Sequence, residues 1–459
     1  MTRLPVMMGL LMACVAGPGG GAPGGSDRIP LALVGVNVVP MDSDTVLPNR
    51  TVIVSNGRIL TIGPTSEVEI PVNATVVDGA GQYLLPGLVD AHVHLSESRA
   101  ELPMYVSYGV TTIFDVGARV DDLESLVALR HALRNGQALG PELYMAGPII
   151  DGPDPIVPSR SIVVRTPAEA EQAVERLDAL GVDFAKVYNR VSPDALRALG
   201  DATGRLGLPL VGHIPRDAGA LRAIDAGMDL IAHGEEFFFT YFGGPRSTRD
   251  LDRSWRPDMT LMPELVDRLV RGRVWVSPNL SFTVTNLQRI RDPEGFWGDS
   301  DLNALDPALV AAWRAGDPRS RDDLSAFLWR EEVKYELVRE LTRAFQDGGV
   351  PLLLGTDSAL VGVYPGRSAH LELREMVDAG LSPYEALAAG TVRAGDFIRS
   401  HVDQGARFGT VTEGARADLL VAAGNPLEDV TQAERITGLV LRGEWISGER
   451  LAAMRAGRE

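Results

Sequence analysis

Hydrophobic and polar positions change rhythm twice along the chain. Over residues 31–84, short apolar segments at 31–39, 51–54, 58–62 and 75–77 alternate with turn residues such as Ser55-Asn56-Gly57 and Asp78-Gly79-Ala80-Gly81. That texture predicts β-strands joined by tight turns. It returns at 418–422, 436–441 and 444–446, broken by Gly424-Asn425-Pro426 and Arg442-Gly443. Neither end is long enough for a core of its own, so residues 31–85 and 404–459 are expected to build one small β-sandwich domain together. Between them, apolar strand patterns at 85–93, 110–116, 143–149, 184–188, 209–213, 229–233, 274–278 and 352–356 alternate with amphipathic helical stretches. Thr166-Pro167 and Ser192-Pro193 each place a capping residue and then proline at a helix start. Eight strand–helix units over residues 86–403 predict an α/β fold, a (β/α)8 TIM barrel, with functional side chains at the C-terminal ends of its strands. The stretch 235–350 holds only one of the eight strands and must carry insertions. Five of the six tryptophans lie there, four of them (Trp255, Trp297, Trp313, Trp329) outside its one strand, as does Glu236-Phe237-Phe238-Phe239-Thr240-Tyr241-Phe242. Two roles fit this aromatic material: a wall around an apolar substrate side chain at the barrel mouth, or a helical interface of a homo-oligomer.

Composition narrows the partners. The 459 residues are 45% hydrophobic and 23% charged, which is ordinary for a globular protein. Lys+Arg 44 against Asp+Glu 61 leaves a net charge of −17. Nucleic acid is excluded as the main partner, because phosphate binding needs a basic stripe. No apolar run reaches the ~20 residues of a spanning helix. Residues 1–30 read as a leader: Arg3, an apolar stretch at 4–16, and the sole cysteine, Cys14, after Leu11-Met12-Ala13. This resembles a bacterial lipobox, followed by a Gly/Pro tether. The expectation is an exported protein, periplasmic or anchored to the membrane through lipid on Cys14, the alternative being a leader that is simply cleaved. With one cysteine there is no internal disulfide.

Chemistry concentrates at the strand ends. In Pro86-Gly87-Leu88-Val89-Asp90-Ala91-His92-Val93-His94-Leu95, strand alternation puts His92 and His94 on one face, where two imidazoles can share a divalent metal or simply hydrogen-bond. His213 and His233 each terminate a predicted strand, about one αβ unit apart, so neighbouring strand ends bring both toward a common metal. Lys186 sits inside Val182-Asp183-Phe184-Ala185-Lys186-Val187-Tyr188, where burial is costly unless the amine is paired or chemically altered. It is read either as a buried ion pair or as a carboxylated lysine bridging two metals. Asp357, in Leu354-Gly355-Thr356-Asp357-Ser358, ends the eighth strand and can ligate a metal and shuttle a proton, or cap the next helix.

Together with Gly109-Val110-Thr111-Thr112, Gly380-Leu381-Ser382-Pro383, Gly414-Ala415-Arg416-Ala417-Asp418-Leu419-Leu420 and Asn425-Pro426-Leu427, these motifs resemble the amidohydrolase superfamily, in its imidazolonepropionase-related and prolidase-like branch. The resemblance covers nearly the whole chain after the leader. It implies two divalent metal ions, zinc foremost, with manganese and cobalt also suited to such ligands. His92, His94 and Asp357 would hold one ion and His213 and His233 the other, with carboxylated Lys186 between them. It further implies hydrolysis of amide or peptide C–N bonds in small substrates such as dipeptides, by a metal-bridging hydroxide with Asp357 as proton shuttle. Tyr188 matches a substrate-contacting tyrosine of some dipeptidases, although barrel packing would also explain it, and His370 is a candidate at the pocket. His131 and His401 fall on helical stretches expected to be exposed and receive no role. Lactone or cyclic-amide hydrolysis is the alternative within the superfamily. A non-catalytic binding lipoprotein is the alternative outside it, disfavoured by the complete set of ligand-type residues.

Overall fold

Both ends of the chain meet in one sheet. In the computed structural model, which describes residues 29–458 apart from 96–98, 250, 318 and 320, Leu31–Val38 pairs antiparallel with Leu47–Ser55, and that strand with Arg58–Pro64. Leu31–Val38 also runs parallel to Thr75–Asp78 and Tyr83–Pro86. Tyr83–Pro86 then takes Leu419–Ala422 antiparallel, with Leu419 opposite Pro86, and Ile436–Leu441 and Glu444–Ser447 follow outward. The eight strands form one continuous hydrogen-bonded sheet around its own core of Leu33, Val36, Val52, Ile59, Val421 and Val440. Its hairpins use the turn chemistry visible in the sequence: Asn56 and Gly57 have φ of 49° and 76°, and Arg442 and Gly443 have 50° and 84°. Left-handed residues at both turn positions match the twist of the flanking strands. Cys14 and the tether lie outside the described residues. Among the described residues no helix is long and apolar enough to cross a membrane.

The second β-system is parallel. Leu88–Val93, Val110–Asp115 and Glu142–Met145 form one sheet, and Ala185–Val187, Leu210–Gly212, Leu230–Ala232 and Trp275–Ser277 follow in order in another. The Asp183 N–H donates to the Met145 carbonyl at 2.8 Å and joins the two. The stretch 351–357 closes the ring: Leu353 N–H to Val276 carbonyl at 2.9 Å, Ala91 N–H to Leu354 carbonyl at 2.8 Å, and Asp357 N–H to His92 carbonyl at 2.8 Å. Most of these strands are buried along their whole length, as parallel strands covered on both faces must be. Thr166 and Ser192 accept from the Glu169 and Ala195 amides, capping Pro167–Ala179 and Pro193–Leu206. Inside the ring, Phe114 packs against Phe184 (ring centroids 5.3 Å apart) and both against Phe397. These rings belong to the cluster that fills the barrel interior, so chemistry is left to the C-terminal strand ends.

Three features depart from the sequence expectation. The chain adds two short parallel strands, Ile149–Asp151 and Ser161–Val163. The eighth barrel segment makes only isolated bridges, Val276 to Leu352 and Val93 to Ser358. The aromatic run beginning at Phe237 does not wall a pocket: Phe237 and Phe238 are 0% exposed. Helix Glu235–Thr240 turns these rings into the core, where Phe237 lies 5.4 Å from Phe345 of helix Leu324–Gly348. Elsewhere in the insertion, Leu302, Leu305 and Trp313 form a separate apolar cluster with Met104, Tyr108 and Tyr364. Helix Leu280–Arg291 starts at Asn279, and the buried Glu372 carboxylate accepts from the Leu280 and Ser281 amides at 3.0 and 2.6 Å.

Candidate metal centre

The six ligand-type residues of the sequence converge in one buried chamber. His92 closes the first barrel strand and His94 lies just beyond it; their Nε2 atoms are 3.3 and 3.0 Å from Asp357 Oδ1. Ligand atoms of these three residues all lie within 4.8 Å of one another. His233 Nδ1 is 3.9 Å from Asp357 Oδ2, and its ring sits 4.5 Å from that of His92 and 4.6 Å from that of His213. Lys186 Nζ is 3.4 Å from His92 Nε2. Both His92 and Lys186 are 1% exposed. Tyr188 is half-buried, its ring centroid 4.1 Å from that of His213 and tilted 47° to it. His370 is placed elsewhere: it is buried in helix Arg367–Asp378 and its Nε2 lies 2.8 Å from the Tyr108 carbonyl. His131 is exposed, whereas His401 is half-buried and stacks 4.7 Å from the Phe397 ring, against the expectation of exposure.

Neighbouring residues that carried no role in the sequence hold this arrangement. Asp90 accepts from the Thr356 hydroxyl at 2.6 Å, the Thr356 amide at 3.0 Å and the His92 amide at 3.2 Å, tying the first strand to the eighth beside Asp357. Gly212 has φ of 127°, and a Cβ there would meet Val187 O at 2.4 Å and Lys186 Cδ at 2.8 Å. Only glycine leaves the lysine its path into the chamber. Glu236 Oε1 lies 2.7 Å from His213 Nδ1, and the carboxylate accepts from Asn189 Nδ2 at 3.0 and 3.1 Å. His233, Asn279 and Asp357, just beyond three successive strands, have φ of 67°, 56° and 69°. Left-handed backbone at non-glycine residues clusters where surrounding structure enforces it, and functional sites are such places.

Electrostatics follow from burial. It drives His92 and His213 well below the ordinary imidazole value, His233 down to about 4 and Lys186 down to about 8. Burial alone would raise Asp357, but His233, His94 and Lys186 more than offset it and hold the carboxyl below its usual range. Neutral imidazoles around an ionised carboxylate are a donor set for a divalent ion. The fit has a specific mark: Asp357 Oδ1, buried and close to two ring nitrogens, makes no hydrogen bond. An acceptor facing other lone pairs is satisfied by a cation they share, and the residues present fit one.

No family model matches the chain. An adenine deaminase of Chelativorans sp. (strain BNC1) is 25% identical over 372 residues, 78% of this chain and 56% of that protein. The chain thus spans about half the length of the curated relatives it matches. A Bifidobacterium longum protein assigned as a prolidase superposes with a TM-score of 0.70 at 26% identity, covering 92% of this chain and 95% of that one. The chain belongs to the amidohydrolase superfamily. A bottromycin amidohydrolase shares the fold, with a TM-score of 0.71 at 24% identity over 93% of this chain and 90% of that one. Such α/β barrels carry their chemistry at the strand ends where the histidines, Lys186 and Asp357 of this chain gather.

Proposed function

We propose that the protein hydrolyses C–N bonds of small substrates, dipeptides foremost, at a binuclear metal centre. The observation that carries this reading is the unsatisfied Asp357 Oδ1 between His92 and His94, with Lys186 and two further histidines beside them. The names of the solved relatives, a prolidase assignment and an amidohydrolase, point to the same bond. His92, His94 and Asp357 would hold one divalent ion, His213 and His233 a second, and Lys186, as a carbamate, both; zinc suits these ligands. Bound there, the ions supply Lewis acidity, polarising a carbonyl and acidifying a water.

The chain's own residues supply the rest. Carbamate formation requires the free amine of Lys186: its nitrogen adds to the carbon of CO2 and sheds a proton. The depressed lysine value leaves a substantial free-base fraction near neutrality. Asp357 is held ionised, so it is ready to take a proton from the attacking water and deliver it to the leaving nitrogen, a transfer typically worth ~10²–10⁴-fold. Amines leave poorly unprotonated, so Asp357→Asn is expected to damage amide turnover far more than turnover of an activated ester or lactone. The Tyr188 hydroxyl, at the rim beside His213, is suited to a substrate carboxylate.

The test is a screen of purified, metal-loaded protein over L-Xaa–L-Xaa dipeptides, N-acyl amino acids, cyclic imides and lactones. Turnover of lactones with indifference to every amide would overturn the C–N reading. The match to adenine deaminases favours a second reading, release of ammonia from an aminated ring, and ammonia detection with adenine separates it. Export with lipid on Cys14 accompanies the proposal; an unmodified mature terminus downstream of that residue, found by mass spectrometry, would leave simple secretion.

A further inference from the structure

We infer that Glu236 is a positioning residue that fixes the tautomer of His213 and thereby governs one of the two metal positions. The inference rests on the metal centre of the reading above and is independent of the substrate.

A neutral imidazole carries one N–H, and an ionised carboxylate only accepts. Burial raises the Glu236 carboxyl to about 7; in its ionised form, with Oε1 2.7 Å from His213 Nδ1, it places the proton on Nδ1 and leaves Nε2 as a lone-pair donor. Glu236 is itself held. Asn189 Nδ2 lies 3.0 and 3.1 Å from its two oxygens and 3.4 Å from the Ile214 carbonyl. The amide nitrogen must be the atom facing them, since its oxygen would oppose three acceptors. Glu236 is 2% and Asn189 4% exposed, so water does not compete for these bonds. The three residues follow three consecutive strands, Ala185–Val187, Leu210–Gly212 and Leu230–Ala232, and the brace therefore spans the side of the barrel that carries His213 and His233.

Two contrasts give the assignment its specificity. The adjacent Glu235 is committed elsewhere: it pairs with Lys334, which also binds Glu331 at 2.9 Å, so it does not compete for His213. On the opposite side of the chamber, His94 Nδ1 is buried and has no partner. The anchored histidine belongs to one metal position, and loss of its anchor should be felt there. Partners of this kind typically contribute 10–100-fold to metal affinity.

The experiment uses full-length protein labelled with 15N-histidine and stripped of metal, with the His213 signal assigned by His213→Asn. The expected nitrogen shifts report Nδ1–H at His213 in the wild type. Zinc titration against a competing chelator should then show one binding step weakened about 10–100-fold in Glu236→Leu, the other step unchanged, and most of the loss restored in Glu236→Gln, which keeps an acceptor. Asn189→Leu should weaken the same step to a smaller degree. An Nε2–H tautomer at wild-type His213 overturns the inference whether or not the variants fold, as do wild-type affinities at both steps in Glu236→Leu. A protein that hydrolyses nothing yet shows the Nδ1–H tautomer and the selective loss upholds the inference while sinking the hydrolase reading. An active hydrolase with Nε2–H does the reverse.

Discussion

Exchanging Lys186 for methionine should make the metal-free protein more stable while disabling its site. The amine is 1% exposed, and burial, only partly opposed by Asp357, Glu236 and Asp115, pushes it down to about 8. At ~1.4 kcal/mol per pH unit, the displacement from the ordinary lysine value corresponds to about 3 kcal/mol against the protonated fold. Between pH 8 and the ordinary lysine range, the unfolded chain binds a proton that the folded chain has released. Wild-type stability from this group therefore rises with pH across that window, and below it the penalty is present in full. Methionine fills a similar volume and carries no charge, so Lys186→Met should gain about 3 kcal/mol at pH 7 and lose that lead as the pH approaches 10. Urea denaturation of chelator-treated, CO2-free protein at the two pH values measures it, and comparing variants cancels the titration of other groups. The same substitution should weaken zinc binding and abolish turnover. A variant no more stable than wild type at pH 7, or a gap that does not narrow with pH, would refute the claim that this lysine is held against its own solvation.

Other perturbations have equally definite outcomes. Gly212→Ala should lower metal content and activity together, because the new Cβ would meet Lys186 Cδ at 2.8 Å; elemental analysis showing full metal occupancy would contradict this. Glu372→Ala orphans the Leu280 and Ser281 amides and should destabilise by about 2–6 kcal/mol in urea denaturation, at ~1–3 kcal/mol per buried group. Phe237→Ala should cost about 3–5 kcal/mol as a core truncation and leave KM unchanged; a KM rise confined to bulky apolar substrates would return this ring to the pocket. Tyr188→Phe should raise KM for free dipeptides and spare C-terminally amidated ones, which paired kinetics will show.

Legibility in the sequence followed how locally each role is specified. His92 and His94 could be read because strand alternation alone puts them on one face, and His213 and His233 because each ends an apolar strand. Lys186 stood out as a lone charge within such a strand. Glu236 was hidden, since its role depends on a contact with His213 across two strand ends, and it opens an aromatic run whose composition suggested a surface wall. Asp90 was equally silent: it looks like one polar residue among the apolar positions of a strand, and its bonds run to Thr356 at the far end of the barrel sequence. The eighth strand was legible as an apolar segment but not as a set of isolated bridges, because ladder regularity is set by neighbours on both sides. His370 shows the limit of reading a histidine from its position near a site, for its ring nitrogen is used on the Tyr108 carbonyl.

The pairing of Tyr83–Pro86 with Leu419–Ala422 also sets a timetable for biosynthesis. The first of these strands leaves the ribosome just ahead of Leu88–Val93, the strand that carries His92, and its partner follows only after nearly all of the barrel. At ~5–20 residues per second, that interval is roughly tens of seconds. Throughout it, Leu84 and Leu85, both 0% exposed in the finished sheet, belong to a strand with one unsatisfied edge. An open apolar edge is a template for pairing with another chain. The nascent protein therefore carries an open edge throughout the synthesis of its barrel, and slowing translation of the barrel lengthens that period in direct proportion.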